Sequence, residues 1–257
     1  MRTHKERPRH IQARDGPQDS VANNQMATYQ VSIMKRNHKH MCSGVIVSEE
    51  WIVSTATCLQ SDEPHRLKVV TGIRDLSKVG SGRVYHIDYV LLHPHYDIPK
   101  RSNDIGLAHV KIPIHLSASV SSIDCNAEVI PRDAQLQLTG WGWRKEEKNI
   151  MKTISVNWIG FEECKAAYRG KTRNPVDISH ICIKIPQDND FCNHEMGQPI
   201  VFDNKLIGLS AFGPGCSNGE PYVFTRMAFF FDFIRTKMAG CSKCKAIKGF
   251  SANFFEL

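Results

Sequence analysis

Short apolar segments separated by turn-forming residues run through most of this 257-residue chain. Most are too short for helices and are rich in the β-branched and aromatic residues typical of strands. The twelve segments lie at residues 29–34, 44–47, 51–54, 67–71, 85–92, 105–110, 135–139, 153–158, 181–185, 200–202, 206–211 and 222–225. Helical spacing occurs at 161–168 and 229–238. The pattern predicts an all-β fold, either a sandwich or a pair of barrels.

The composition is that of an ordinary globular protein, with 41% hydrophobic and 23% charged residues. No apolar stretch reaches the length of about 18 residues that a membrane-spanning helix needs. Residues 1–27 lack the apolar core of a secretion signal, so we expect no signal peptide in this chain. There is no nucleic-acid-binding motif and no glycine-rich phosphate loop, and we expect no cofactor.

The formal charge of +7 is concentrated at the two ends of the chain. Residues 1–15 hold five basic and two acidic side chains, residues 235–257 hold five and one, and the remainder is neutral. We therefore predict a flexible basic arm at 1–27, a globular domain at 28–238 and a basic, aromatic tail at 239–257. Such ends are usually solvated, but they could also bind an anionic polysaccharide or a membrane surface.

Eight short motifs follow one another along the predicted domain. They lie at residues 29–32, 42–44, 51–58, 93–96, 103–105, 139–142, 192–200 and 213–216. In order and approximate spacing they resemble the landmarks of the chymotrypsin/trypsin family of serine proteases. The resemblance implies two six-stranded antiparallel barrels, the first at about 28–118 and the second at about 119–228, followed by a C-terminal helix at about 229–238.

Two of the three catalytic positions of that family carry residues without the required chemistry. The resemblance places Met196 at the nucleophile position, and a thioether cannot be deprotonated to attack a carbonyl. Thr57 stands at the position of the general-base histidine, and its hydroxyl is not basic enough to take a proton near neutral pH. Asp104 alone is retained. We expect Thr57 to donate a hydrogen bond to Asp104, or a water molecule to fill the gap.

The oxyanion hole and the activation step also depart from the family. His194 matches a glycine of the oxyanion hole, where its bulk should reorient the backbone amide. Glu195 replaces an aspartate that, in active relatives, pairs with a new N-terminus released by cleavage. Residues 16–19, twelve positions before the domain, do not resemble that cleavage sequence. Glu195 is therefore expected to have no terminal amine as its partner.

The substrate pocket implied by the resemblance gives mixed signals. Asp190 matches the aspartate that selects lysine or arginine in trypsin-like enzymes. Phe191 lies beside it, however, and Tyr222 matches a glycine of the pocket wall; Gly213 is the fourth pocket residue. We expect the two aromatic side chains to fill the cavity, leaving Asp190 as a capped or solvated carboxylate.

The resemblance also implies three disulfides among the nine cysteines. They would join Cys42 to Cys58, Cys164 to Cys182, and Cys192 to Cys216. A fourth family bridge is replaced by the apolar pair Leu136 and Phe202. Cys125 is either a free thiol or paired with the tail, which carries Cys241 and Cys244; with no second pair, these two predict no metal site. The cysteine pattern and the family favour secretion.

These observations predict an inactive serine protease homologue that binds an unidentified protein partner. Three alternatives remain open. The first is residual hydrolysis that uses Asp104, His194 and a water molecule. The second is binding of an anionic surface through the two ends, and the third is a product without a selected role.

Overall fold

The computed structural model describes residues 27–35, 39–60, 64–142, 149–170, 175–185, 195–213 and 219–238. Its thirteen strands are β1 Gln30–Met34, β2 His40–Ile46, β3 Trp51–Ser54, β4 Lys68–Thr71, β5 Arg83–Leu92, β6 Gly106–Val110, β7 Asp124–Cys125, β8 Gln135–Gly140, β9 Lys152–Ile159, β10 His180–Lys184, β11 Pro199–Phe202, β12 Lys205–Phe212 and β13 Tyr222–Arg226. The α-helices are α1 Ala56–Leu59, α2 Phe161–Tyr168 and α3 Met227–Lys237, and 3-10 turns lie at Pro64–Arg66 and Leu76–Ser81.

The strands form two closed barrels. The first has the strand order β1-β2-β3-β6-β5-β4 and is antiparallel throughout. The second is built from β8 to β13 and closes through the pairing of β11 with β12. The short strand β7 adds to β12 in parallel. Two six-stranded antiparallel barrels, as the resemblance implied, are confirmed.

Side-chain alternation explains why these segments become strands. In β5, Tyr85 and Ile87 are buried, whereas His86, which lies between them, and Asp88, which follows them, are exposed. Alternate residues of a strand point to opposite faces, so one face of β5 fills the barrel interior and the other meets solvent.

Three apolar clusters account for most of the core. One fills the first barrel and includes Val31 and Ile52, and another fills the second barrel and includes Leu138 and Phe224. The largest combines residues of both barrels with α3, whose Phe230 and Ile234 are buried. The barrels are therefore joined by a continuous apolar interface.

All twelve predicted strands are present, with bounds that differ by a few residues. Helix α2 has the predicted bounds, and α3 begins two residues before the predicted position 229. Helix α1 and strand β7 were not predicted, since a four-residue helix and a two-residue strand are too short to show periodicity. Apart from residue 27, the predicted arm lies outside the described residues, as does the predicted tail.

None of the described helices has the length and apolar character needed to cross a membrane.

Candidate active site

The pairing of β3 with β6 brings Thr57 and Asp104 together. Ser54, the last residue of β3, lies opposite Gly106, the first residue of β6. Thr57 lies on α1, three residues after Ser54. The first turn of α1 is capped by the Thr55 hydroxyl, which accepts a hydrogen bond from the Cys58 amide at 3.3 Å. Asp104 precedes Gly106 by two residues. Both side chains therefore lie at the same end of this strand pair.

Thr57 supplies two hydrogen bonds to the Asp104 carboxylate. Its backbone amide donates to Oδ1 at 2.7 Å, and its hydroxyl donates to Oδ2 at 2.8 Å. The prediction that Thr57 donates to Asp104 is confirmed. Hydrogen bonds to an ionised acceptor are stronger than neutral ones, so this pair satisfies a carboxylate that is only 1% exposed.

Tyr96 completes a chain of hydroxyl groups that ends at Asp104. Its hydroxyl oxygen lies 2.9 Å from the Thr57 hydroxyl oxygen. A threonine hydroxyl has one proton, and that proton is donated to Asp104, so Tyr96 must donate to Thr57. The alternative acceptor for Tyr96, Gln60 Oε1, is 3.5 Å away and at the limit of a hydrogen bond. Both the proton and a lone pair of the Thr57 hydroxyl are therefore engaged.

Burial dominates the electrostatics of Asp104. Desolvation raises the pKa of its carboxyl group above the ordinary value, although the two hydrogen bonds from Thr57 and the positive charge of Arg101 act in the opposite direction. The Thr225 hydroxyl also donates to the Asp104 backbone carbonyl at 2.9 Å. This residue is held in place from both barrels.

Met196 is fixed on both its backbone and its side chain. Its carbonyl oxygen accepts from the Ser43 amide at 3.0 Å, and its side chain packs against the apolar cluster of the first barrel. The guanidinium Nη1 of Arg101 lies 3.9 Å from the Met196 sulfur. A cation and a thioether thus stand beside each other at the position that the resemblance matches to the nucleophile.

The carboxylate of Glu195 has partners in the first barrel. Oε1 lies 2.6 Å from His40 Nε2 and accepts a hydrogen bond from the Ser43 hydroxyl at 2.8 Å. Although close, the histidine contact lacks hydrogen-bond geometry, and it is an ion pair only when His40 is protonated. The folded chain therefore provides Glu195 with a hydrogen-bond donor, Ser43, which sequence reasoning had missed.

A serine–histidine–carboxylate set lies away from Thr57 and Asp104 and consists of Ser32, His40 and Glu195. The Ser32 hydroxyl oxygen lies 2.7 Å from His40 Nδ1, on the side of the ring opposite Glu195. Such a set can activate a nucleophile only if a substrate reaches the serine. Ser32 lies in β1 and is completely buried, so no substrate carbonyl can approach it. These contacts instead connect the Glu195 segment to the first barrel.

Tyr222 and Gly213, which the resemblance assigns to the substrate pocket, lie against each other. A Cβ atom placed on Gly213 would lie 2.6 Å from Cδ1 of the Tyr222 ring, and Tyr222 is buried. The aromatic ring of Tyr222 therefore occupies the space beside this glycine, whereas the expected filling of the pocket by two aromatic side chains stays a prediction. Three other predicted site residues lie outside the described part of the chain: Asp190, Phe191 and His194.

Two of the three implied disulfides are present. Cys42 is bonded to Cys58, and Cys164 is bonded to Cys182. The pair Leu136 and Phe202 packs in the second-barrel cluster, where apolar contact replaces the fourth bridge. Cys125 is buried in β7. The remaining cysteines lie outside the described residues: Cys192, Cys216, Cys241 and Cys244. Within the described ranges, no three His, Cys, Asp or Glu side chains are grouped to hold a metal ion.

Comparison with known proteins gives one consistent result. A sequence model of the trypsin family matches residues 17–234. A trypsin of Phaedon cochleariae is 26% identical over 80% of this chain and 81% of its own length. Trypsin-3 of Homo sapiens is 28% identical over 83% of this chain and 69% of its own length. The solved structure of neuropsin, a serine protease expressed in the limbic system of mouse brain, superposes with a TM-score of 0.72 at 22% identity, covering 82% of this chain and 94% of that one.

Proposed function

The chain belongs to the trypsin family, and we propose that it is a catalytically inactive member that functions by binding a protein partner. The observation that carries this proposal is the hydrogen bond from Thr57 to Asp104, taken with Met196 at the position that the resemblance matches to the nucleophile. The carboxylate that would orient a histidine is bound to a hydroxyl, and the side chain that would attack is a thioether. Acyl transfer on this scaffold has neither its base nor its nucleophile.

Nearby serines do not offer a substitute nucleophile. Ser43 donates to the Glu195 carboxylate, Ser54 donates to the Ser43 carbonyl, and Ser210 donates to the Glu195 carbonyl. A serine can act as a nucleophile only when a base takes its proton and a substrate reaches its hydroxyl, and all three serines are completely buried. Since no substrate carbonyl can approach them, their role is structural.

Two assays on the purified chain test the loss of activity. We expect no labelling by a fluorophosphonate probe and no cleavage of a diverse peptide library, because loss of the nucleophile or base of a triad lowers turnover by about a million-fold. Met196→Ser should also stay at background, since Thr57 cannot accept the serine proton. An active trypsin serves as the positive control. Library cleavage by the native chain that disappears in Asp104→Asn would overturn the proposal.

The conserved architecture supports a binding role in an oxidising compartment. The two barrels, their common apolar interface and two disulfides remain although the triad chemistry is changed. Disulfides persist mainly in secreted and other extracytosolic proteins, so we place this chain there.

The charge distribution favours an anionic surface as a second candidate target. Residues 1–15 carry a net charge of +3 and residues 235–257 a net charge of +4. Retention on a heparin column should be lost when residues 1–15 and 240–257 are deleted. Unchanged retention after the deletion would dismiss this role.

A further inference from the structure

A cavity opens at one end of the second barrel, where four elements meet. It lies beside the end of β9, the start of α2, the start of β10 and the end of β13, and its volume is about 160 Å³. Six of its lining residues matter for its chemistry: Val129, Ile130, Trp158, Phe161, His180 and Arg226. An adjoining cavity of about 300 Å³ shares Trp158 and Phe161 and is lined further by Arg132 and Gly160.

The cavity walls carry positive charge without acidic side chains. Neither cavity has an aspartate or glutamate among its described lining residues. Arg226 is partly buried, and neither it nor Arg132 forms an ion pair within the described ranges. The two acidic residues in the first turn of α2, Glu162 and Glu163, are exposed and line neither cavity, and Glu163 is paired with Lys184. The site is therefore complementary to an anion.

The apolar part of the cavity is held in a defined shape. The Trp158 indole donates to the Pro131 carbonyl at 2.8 Å, which fixes the orientation of its ring. The His180 ring is fixed by Asp177, whose carboxylate oxygen Oδ1 lies 3.0 Å from Nδ1. It also makes an edge-to-face contact with Phe212, with 5.6 Å between the two ring centres. A preorganised wall lowers the entropy lost on binding.

The volume matches a single ring or a short branched chain. An engineered apolar cavity of about 150 Å³ is large enough to bind benzene. A group of that size would fit between Trp158 and Phe161, with one charged substituent directed to an arginine.

We propose that this cavity binds a small organic carboxylate whose aromatic or branched group packs on Trp158 and Phe161 and whose carboxylate pairs with Arg226. Arginine suits this role because its planar guanidinium can bind both carboxylate oxygens. None of the six residues named above stands at a position that the resemblance matches to the catalytic triad. The inference therefore holds whether or not the chain is active as a protease.

Titration of the full chain with phenylacetate tests this site. Binding is followed by calorimetry and by the indole N–H resonance of Trp158 in an NMR spectrum, assigned with Trp158→Phe. We expect phenylacetate to bind and to shift this resonance, whereas benzylamine, with the same ring and the opposite charge, should do neither. Equal binding of the two compounds, or an unshifted indole resonance, would refute the proposal.

Variants separate the roles of the arginines. Arg226→Gln should weaken phenylacetate binding by about tenfold or more, because a hydrogen-bonded charge is lost. Arg132→Gln, in the adjoining cavity, should weaken it less. The matched control is Arg83→Gln, an exposed residue of β5 in the first barrel that should leave the affinity unchanged. Unfolding curves establish that each variant is folded, and undiminished affinity in folded Arg226→Gln would also overturn the assignment.

Discussion

Thr57 illustrates how a buried carboxylate can remain satisfied when its usual partner is replaced. The threonine side chain is much smaller than an imidazole, yet its hydroxyl reaches Asp104 at 2.8 Å because the amide of the same residue also binds that carboxylate at 2.7 Å. Tyr96 then fills the remaining acceptor position of Thr57. Through these two bonds, Thr57 anchors α1 to Asp104.

Removal of the Thr57 hydroxyl should destabilise the fold. We expect Thr57→Val to lower the free energy of unfolding by about 1.5–3 kcal/mol, since a hydrogen bond to a charged acceptor is lost. Thr153→Val is the matched control, because it removes a neutral hydroxyl pair with Thr139 at 2.9 Å and should lower that free energy by about 0.5–1.5 kcal/mol. Urea unfolding measures both values. Equal effects would mean that Thr57 does not donate to an ionised carboxylate.

The raised pKa of Asp104 predicts a pH-dependent stability. Burial raises the pKa of the folded-state carboxyl group above the ordinary value of 3.8, so as the pH rises the carboxyl group loses its proton later in the folded state than in the unfolded chain. The folded state binds more protons, so stability falls as pH rises through this window. The free energy of unfolding of the native chain, relative to Asp104→Asn, should decrease as the pH rises above about 4. An increase over that range would show that the folded state favours the ionised carboxylate.

At the scale of elements, the segment leading into β11 is held by strands of both barrels. The Ser43 amide of β2 donates to the Met196 carbonyl, and the Gly197 amide donates to the Ser210 carbonyl of β12. Gln198 adds a bond from its side chain to the Trp141 carbonyl at 2.7 Å. The segment passes so close to β2 that a Cβ atom on Gly197 would lie 2.0 Å from the Ser43 carbonyl oxygen.

Gly197→Ala should therefore be more harmful than an ordinary glycine substitution. Gly197 has a φ of +82°, which is unfavourable for alanine, and the added methyl group would also clash with backbone atoms. We expect a loss of about 3 kcal/mol or more from strain and overpacking together. Gly170→Ala provides the control, with a φ of +72° but no described atom within 4 Å of the new Cβ. Its expected loss is about 1–2 kcal/mol. Similar unfolding midpoints for the two variants would argue against the close packing at Gly197.

At the scale of the whole molecule, each barrel has a disulfide beside an apolar core. Cys42–Cys58 links β2 to α1 in the first barrel, and Cys164–Cys182 links α2 to β10 in the second. The sequence separations, 16 and 18 residues, are nearly the same. Since loop-closure entropy depends on loop length, the two bridges should stabilise the protein to similar extents.

Paired substitutions of each disulfide test this expectation. Cys42→Ala with Cys58→Ala, and Cys164→Ala with Cys182→Ala, should each lower the free energy of unfolding by about 3 kcal/mol. Mass spectrometry after alkylation, before and after reduction, should find these four cysteines protected in protein from its native source. Four reactive thiols at these positions would indicate a reducing compartment and would contradict the placement of this chain outside the cytosol.

The strand content, the family and the residue types at positions 57 and 196 could be read from the amino-acid sequence. These are local properties: periodicity lies within a few residues, and no environment makes a thioether an alkoxide-like nucleophile. The groups that satisfy Asp104 and Glu195 depend instead on how the chain folds in three dimensions. Ser43 and Glu195 are 152 residues apart and Thr57 and Tyr96 are 39 apart, so no local pattern predicts either hydrogen bond. The cavity beside Trp158 and Arg226 likewise exists only because barrel closure brings the ends of four elements together.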